Sequence, residues 1–121
     1  LGRVEEALRG ARRLVAEQPT FAPGQQTLAS LLWENGDTAA TGEDPFAALR
    51  AAARAHPAQR DLQARYLAML LAARQPAAAL EWLERLRRHH PHDPLLGWFE
   101  ASALDALGRD REAAARFEAL H

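Results

Sequence analysis

Residues 57–91 read PAQRDLQARYLAMLLAARQPAAALEWLERLRRHHP. The stretch begins and ends on proline, and the sequence numbers of Pro57 and Pro91 differ by 34. Each of them follows a segment rich in Ala, Leu and Arg, and Pro76 divides the interval. Proline has no amide hydrogen and a fixed φ, so it suits the first turn of a helix or the place where a helix stops. After Pro76, Leu80, Leu83 and Leu86 with Trp82 recur at three- and four-residue steps, which predicts a helix with one apolar stripe. The stretch therefore reads as two helices, residues 60–73 and 76–90, joined by a short turn.

The same punctuation runs through the rest of the chain. The remaining prolines stand at 19, 23, 45 and 94. They predict a helix over residues 4–17, a second over 23–34 stopped by Asn35-Gly36, and a third capped by Asp44, with Pro45 in its first turn, running to His56. Asp93 and Pro94 open a sixth that ends at Leu107-Gly108, and a seventh starts near Asp110. Ala, Leu, Arg and Glu, all strong helix formers, dominate the composition. Strands have little to be built from: there are two Val and no Ile. The expected class is all-α, with about seven helices. Stripes this narrow do not stabilise a lone helix, so each must pack on a neighbour, and the short connections make neighbours antiparallel.

At 121 residues the chain is the size of one domain, 1–121, and buries roughly two-thirds of its unfolded surface. It has no cysteine, hence no disulfide framework and no thiolate metal site, and the reading favours the cytoplasm. The net charge of −1 gives no one-signed field for nucleic acid or anionic lipid. All 15 basic residues are Arg, a bias read as that of a GC-rich genome. No apolar run approaches the ~20 residues that span a bilayer; the longest, around Tyr66 to Ala73, is broken by Arg74. Leu1-Gly2-Arg3 carries no Met and no signal-peptide pattern, as expected of a piece of a longer protein.

Self-similarity is the strongest signal. Leu1-Gly2-Arg3 with Ala7 recurs as Leu107-Gly108-Arg109 with Ala113, an offset of three periods of 34 plus four. Pro19 and Pro57 are offset by one such period plus four, and the extra four fall in the long acidic stretch Asp37 to Asp44. Small Ala29 and Ala101 stand where one helix of a pair needs close approach. Gly36 and Gly108 stand at turns, Ala7, Ala79 and Ala113 where the second helix meets the first, and Leu83 and Phe117 in the large slot that follows. On these residues the chain resembles the tetratricopeptide-repeat family along its whole length, as part of a larger bacterial protein. It departs from that pattern at Leu67, a slot usually small, at Arg74, which replaces the turn glycine, and at Pro45, in an alanine slot. The resemblance implies a right-handed α-solenoid of antiparallel helix hairpins: an orphan second helix over 1–19, a hairpin with a four-residue insertion over 20–57, a hairpin over 58–91 and an incomplete one over 92–121. A related helical-hairpin solenoid is the alternative architecture.

In such a solenoid the first helices line a concave face that binds a peptide or a neighbouring domain. The side chains expected there are Gln26, Ser30 and Trp33, then Asp61, Arg65 and Ala68, then Leu95, Trp98, Ser102 and Asp105. Trp33, Arg65 and Trp98 stand out because Trp and Arg dominate binding energies, although large aromatics are as readily inter-helix core. Trp82 reads as packing. Where relatives hold an acidic C-terminal carboxylate with Lys and Asn, this chain has Gln26, Ser30, Asp61 and Arg65, of which only Arg65 could serve. His89, His90, His92 and Asp93 cluster around Pro91, but adjacent helical residues point about 100° apart, and histidine at a helix C-terminus already suits the helix dipole. No metal and no cofactor is expected. Arg85, Arg87 and Arg88 are offset by Glu81 and Glu84, too narrow a patch for nucleic acid. No phosphate-cradling loop, metalloprotease motif or nucleophile elbow is present. The expected function is a protein-binding scaffold without catalysis. The alternative is a substrate-positioning or dimerisation domain of a chain whose catalytic part, such as a 2-oxoglutarate/iron oxygenase or a sulfo- or glycosyltransferase, lies elsewhere. Uncapped solenoid ends would also favour self-association.

Overall fold

Described in a computed structural model are residues 2–35 and 44–120. Among them the chain forms seven helices and no strand, as the punctuation predicts. They are α1 (Gly2–Glu17), α2 (Ala22–Glu34), α3 (Ala47–Ala55), α4 (Arg60–Ala72), α5 (Pro76–Leu86), α6 (Pro94–Ala106) and α7 (Asp110–Glu118). The contacts divide into two compact units, Leu1–Tyr66 and Leu67–His121, with the division inside α4.

In the first unit α1 packs against α2, and α2 against α3. Ala11, Leu28 and Leu32 form the buried centre, with Leu8, Val15, Leu31 and Ala48 packed onto it. Gly24 allows the close approach of α1: a Cβ there would stand 3.0 Å from Leu14 Cδ2. Ala29 is buried as expected of a close-approach position, whereas Ala7 is exposed and Ala11, one turn later, takes the buried place. The turn after α1 and the end of α3 are held by side chains that the sequence reading passed over. Gln25 is buried and donates its amide to Pro19 O at 2.9 Å. Gln63 is buried and donates to Ala53 O at 2.9 Å and His56 O at 3.1 Å. Gln63 takes up a carbonyl that the last turn of α3 leaves over, whereas Gln25 holds the turn that follows α1. Their offset in sequence is the same as that of Pro19 and Pro57.

In the second unit α5 packs against α6 and α6 against α7. Leu67, Ala79, Leu83, Ala101 and Ala113 are all buried, so the slot at Leu67 is filled by a large side chain without losing burial. Two turns, spaced as Pro57 and Pro91 are, share one hydrogen-bond pattern. At the end of α4, Gln75 N–H donates to Leu70 O at 2.8 Å and Arg74 N–H to Leu71 O at 3.0 Å. At the end of α6, Arg109 N–H donates to Leu104 O at 2.9 Å and Gly108 N–H to Asp105 O at 3.0 Å. Each is a Schellman closure, which needs a left-handed residue. Gly108 supplies it with φ 77°, and Arg74 supplies it with φ 60°. The departure at Arg74 thus changes the residue and keeps the turn.

Several helix boundaries differ from expectation. α3 starts at Ala47 rather than Pro45, because Pro45 and Phe46 form a turn held by Asp44, whose carboxylate accepts the Phe46 N–H at 2.9 Å. α5 ends at Leu86 rather than His90, because the His89 and His90 N–H groups both turn back to Leu86 O. Asp93 caps α6 as read, accepting the Leu95 N–H at 3.0 Å. Asn35 closes α2, its Nδ2 donating to Leu31 O at 2.6 Å. Gly36 and residues 37–43 of the acidic stretch lie outside the described residues.

A left-handed L-residue costs about 1–2 kcal/mol that glycine does not. Arg74→Gly is therefore expected to raise stability by about 1 kcal/mol and Gly108→Ala to lower it by about as much. Urea unfolding followed by circular dichroism checks both, and opposite signs at the two sites are the required result.

Candidate interaction surface

On α2, Gln26, Ser30 and Trp33 fall at steps of four and three residues and so share one side of the helix. On α4, Asp61 and Arg65 stand four apart. Arg65 joins the two helices within the first unit: its Nε donates to Asp61 Oδ1 at 3.1 Å, and its Nη1 donates to Gln26 Oε1. The structure thus brings Gln26, Asp61 and Arg65 together, with Ser30 one turn further along α2. Arg65 is partly occupied by Asp61, so it offers an oriented donor rather than an unbalanced charge.

Trp33 is 50% exposed. It stacks on Phe46, ring centroids 5.5 Å apart and planes 24° from parallel, and Phe46 is buried. Phe46 is in turn fixed by a chain of polar contacts that the sequence reading missed. Asp44 Oδ1 accepts the Phe46 N–H, and its Oδ2 accepts from Arg50 Nη1 at 2.7 Å. Arg50 Nε donates to the Tyr66 hydroxyl at 3.0 Å. Burial by itself would raise the Asp44 pKa, but the Phe46 N–H and the Arg50 guanidinium together outweigh it and hold the carboxyl below its ordinary range. A half-open indole backed by a pinned aromatic ring is a preorganised contact: little side-chain freedom is left to lose on binding.

In the second unit Leu95, Trp98, Ser102 and Asp105 follow one side of α6. Trp98 is 54% exposed and meets Phe117 of α7 edge-on at 5.3 Å. The Ser102 hydroxyl donates to Trp98 O at 2.9 Å, a backbone bond within the helix. Asp105 is exposed. Trp82, by contrast, is buried and lies under Arg85, 5.2 Å from ring centroid to guanidinium carbon. Among the described residues, no three of His, Asp and Glu are grouped to hold a metal ion, His89, His90 and His92 included. No helix of the described residues is long and apolar enough to cross a membrane.

The sequence reading also missed Glu100, which is buried on α6 between Arg87 and Arg116. In sequence Glu100 stands in an apolar run with no charged residue within four positions on either side. Both of its partners lie well outside that run, Arg87 before it and Arg116 after it. In comparisons with known proteins, no family model, no curated protein and no solved structure matches the chain.

Because the native pKa of Asp44 lies below the unfolded value of about 3.9, its contribution to stability is complete above that value. It is lost as pH falls through the lower native pKa. Asp44→Asn keeps an acceptor for the Phe46 N–H and removes the charge. Its deficit against the native chain is expected to be constant from about pH 7 to pH 5 and to shrink as pH falls below the unfolded value and through the lower native one. Both residues of the pair are partly solvated, so the deficit stays below about 1 kcal/mol. Urea titrations across that pH range check it.

Proposed function

We propose that the chain is a tetratricopeptide-like helical solenoid acting as a protein-interaction scaffold, with no chemistry of its own. The first helix of each hairpin, α2, α4 and α6, carries the contacts. In this reading the first unit holds a partner through Trp33 as aromatic anchor, with Gln26, Asp61 and Arg65 orienting its polar groups, and the second unit offers Trp98 as an anchor of its own. Ser30, Ser102 and Asp105 stand at the margins.

The observation that carries the reading is the exposure of two tryptophans, 50% at Trp33 and 54% at Trp98, each resting against one other aromatic ring. Half-open tryptophans of this kind cost solvation in the free protein and are the residue type most enriched among binding hot spots. The recurrence of left-handed turns at Arg74 and Gly108, one repeat period apart, supports the repeat architecture independently of that argument.

Trp33→Ala, Arg65→Ala and Trp98→Ala combined in one chain test the reading, once circular dichroism shows the variant folded. A partner captured by the native chain is expected to bind the triple variant at least about 30-fold more weakly, the loss of about 2 kcal/mol that one hot spot alone commonly carries. Equal affinity for both chains would place the interaction elsewhere on the molecule.

A further inference from the structure

Glu100 is 9% exposed on α6. Arg116 of α7 brings Nε to 2.9 Å from its Oε1, and Arg87, the residue that ends α5, lies against its Oε2. Both arginines remain about half exposed. Clefts of about 250 and 240 Å³ open beside the triad, and all three residues line each of them.

The hydrogen-bonding inventory around Glu100 is one-sided. Two guanidiniums offer about ten N–H donors between them, against about four acceptor sites on one carboxylate. The larger cleft also has the Glu84 carboxylate in its wall, which answers part of that excess. In the smaller cleft the further acid is Asp93, one of whose carboxylate oxygens accepts the Leu95 N–H that caps α6. That bond takes up part of the Asp93 acceptor capacity, so the guanidinium donors of this cleft still outnumber the carboxylate acceptor sites left to them. The cleft adds apolar walls at Leu96 and Leu120.

We propose that the cleft of about 240 Å³ binds a small organic carboxylate with an apolar body, gripped by Arg87 and Arg116 and seated on Leu96 and Leu120. Guanidinium geometry matches a planar carboxylate with paired N–H donors. Counting Asp93, the charged side chains lining this cleft sum to zero, so it takes a monoanion, whereas a phosphate dianion would meet the repulsion of Glu100 and Asp93. The cleft is smaller than the roughly 300–1,000 Å³ that drug-sized ligands occupy, so the ligand is small. The site stands apart from the tryptophan-based reading and does not rest on it.

The test probe is benzoate, with benzamide as its neutral isostere, titrated at constant ionic strength and followed by backbone and arginine Nε–H resonances. Benzoate is expected to saturate with a Kd of about 1 mM, with shifts centred on Arg87, Arg116 and Leu96, and benzamide is expected to give none. Arg116→Gln is expected to weaken binding about tenfold, the loss of one charge-assisted contact. Glu100→Gln removes the internal competitor while keeping the side-chain shape, so it is expected to tighten binding several-fold. A triad that only holds the helices together predicts no such tightening. Thermal melts accompany each variant. Should Arg116→Gln fail to fold, Glu100→Gln decides alone: unchanged or weaker benzoate binding overturns the site. Equal response to benzamide, or shifts that never saturate, also overturns it.

Discussion

Carbonyl groups at helix ends set the terms for this chain. Its helices run from 9 to 16 residues, so the backbone must be closed off again and again, each time with up to four carbonyls left without an intrahelical partner. The protein meets this with three devices. Schellman turns close α4 and α6. Buried glutamine amides, Gln25 and Gln63, reach back to the turn after α1 and to the last turn of α3. The Asn35 side chain closes α2. Each device also fixes where the next helix begins, and so decides which apolar stripes can face one another.

That constraint extends to the exposed surface. Gln63 holds the start of α4 against the end of α3, and the same helix carries Asp61 and Arg65. The Asp44 carboxylate holds the Phe46 turn before α3, and Phe46 supports Trp33. The half-open tryptophan therefore rests on a closure, one that exists because a short helix had to be started. In the second unit Asp93 starts α6, which then presents Trp98 on one side and Glu100 on another.

The helical plan was legible because it is local. Proline positions, the Asp93 cap and the stripe at Leu80, Leu83 and Leu86 act within one or two turns of chain, and the described helices follow them. The boundary errors have local causes of a subtler kind. Pro45 is compatible with a first helical turn, but Asp44 captured the Phe46 N–H and made a turn of it. The histidines after Leu86 are acceptable helix residues, yet two N–H groups competing for one carbonyl turned the chain out early. Arg74 shows the converse: the residue argued against a left-handed turn, and the hydrogen bonds to Leu70 and Leu71 imposed one.

The candidate surface was legible only as residue types on helix faces. Spacing and punctuation placed Trp33, Arg65 and Trp98 on the helices that became α2, α4 and α6, but whether an aromatic ring is core or surface depends on what packs beside it. Partners distant in sequence settled that: Phe46 under Trp33, Phe117 at the edge of Trp98, Gln26 beside Arg65. The same holds for the buried charge. Glu100 is an ordinary helical glutamate until Arg87 and Arg116 are brought to it from two other helices. The sequence by itself determined the seven helices and their period, because helix formation and capping are short-range and leave a periodic mark. Only the tertiary structure decided which polar groups were buried, which were paired and which aromatics stayed open, because those outcomes depend on desolvation by neighbours that the linear order does not reveal.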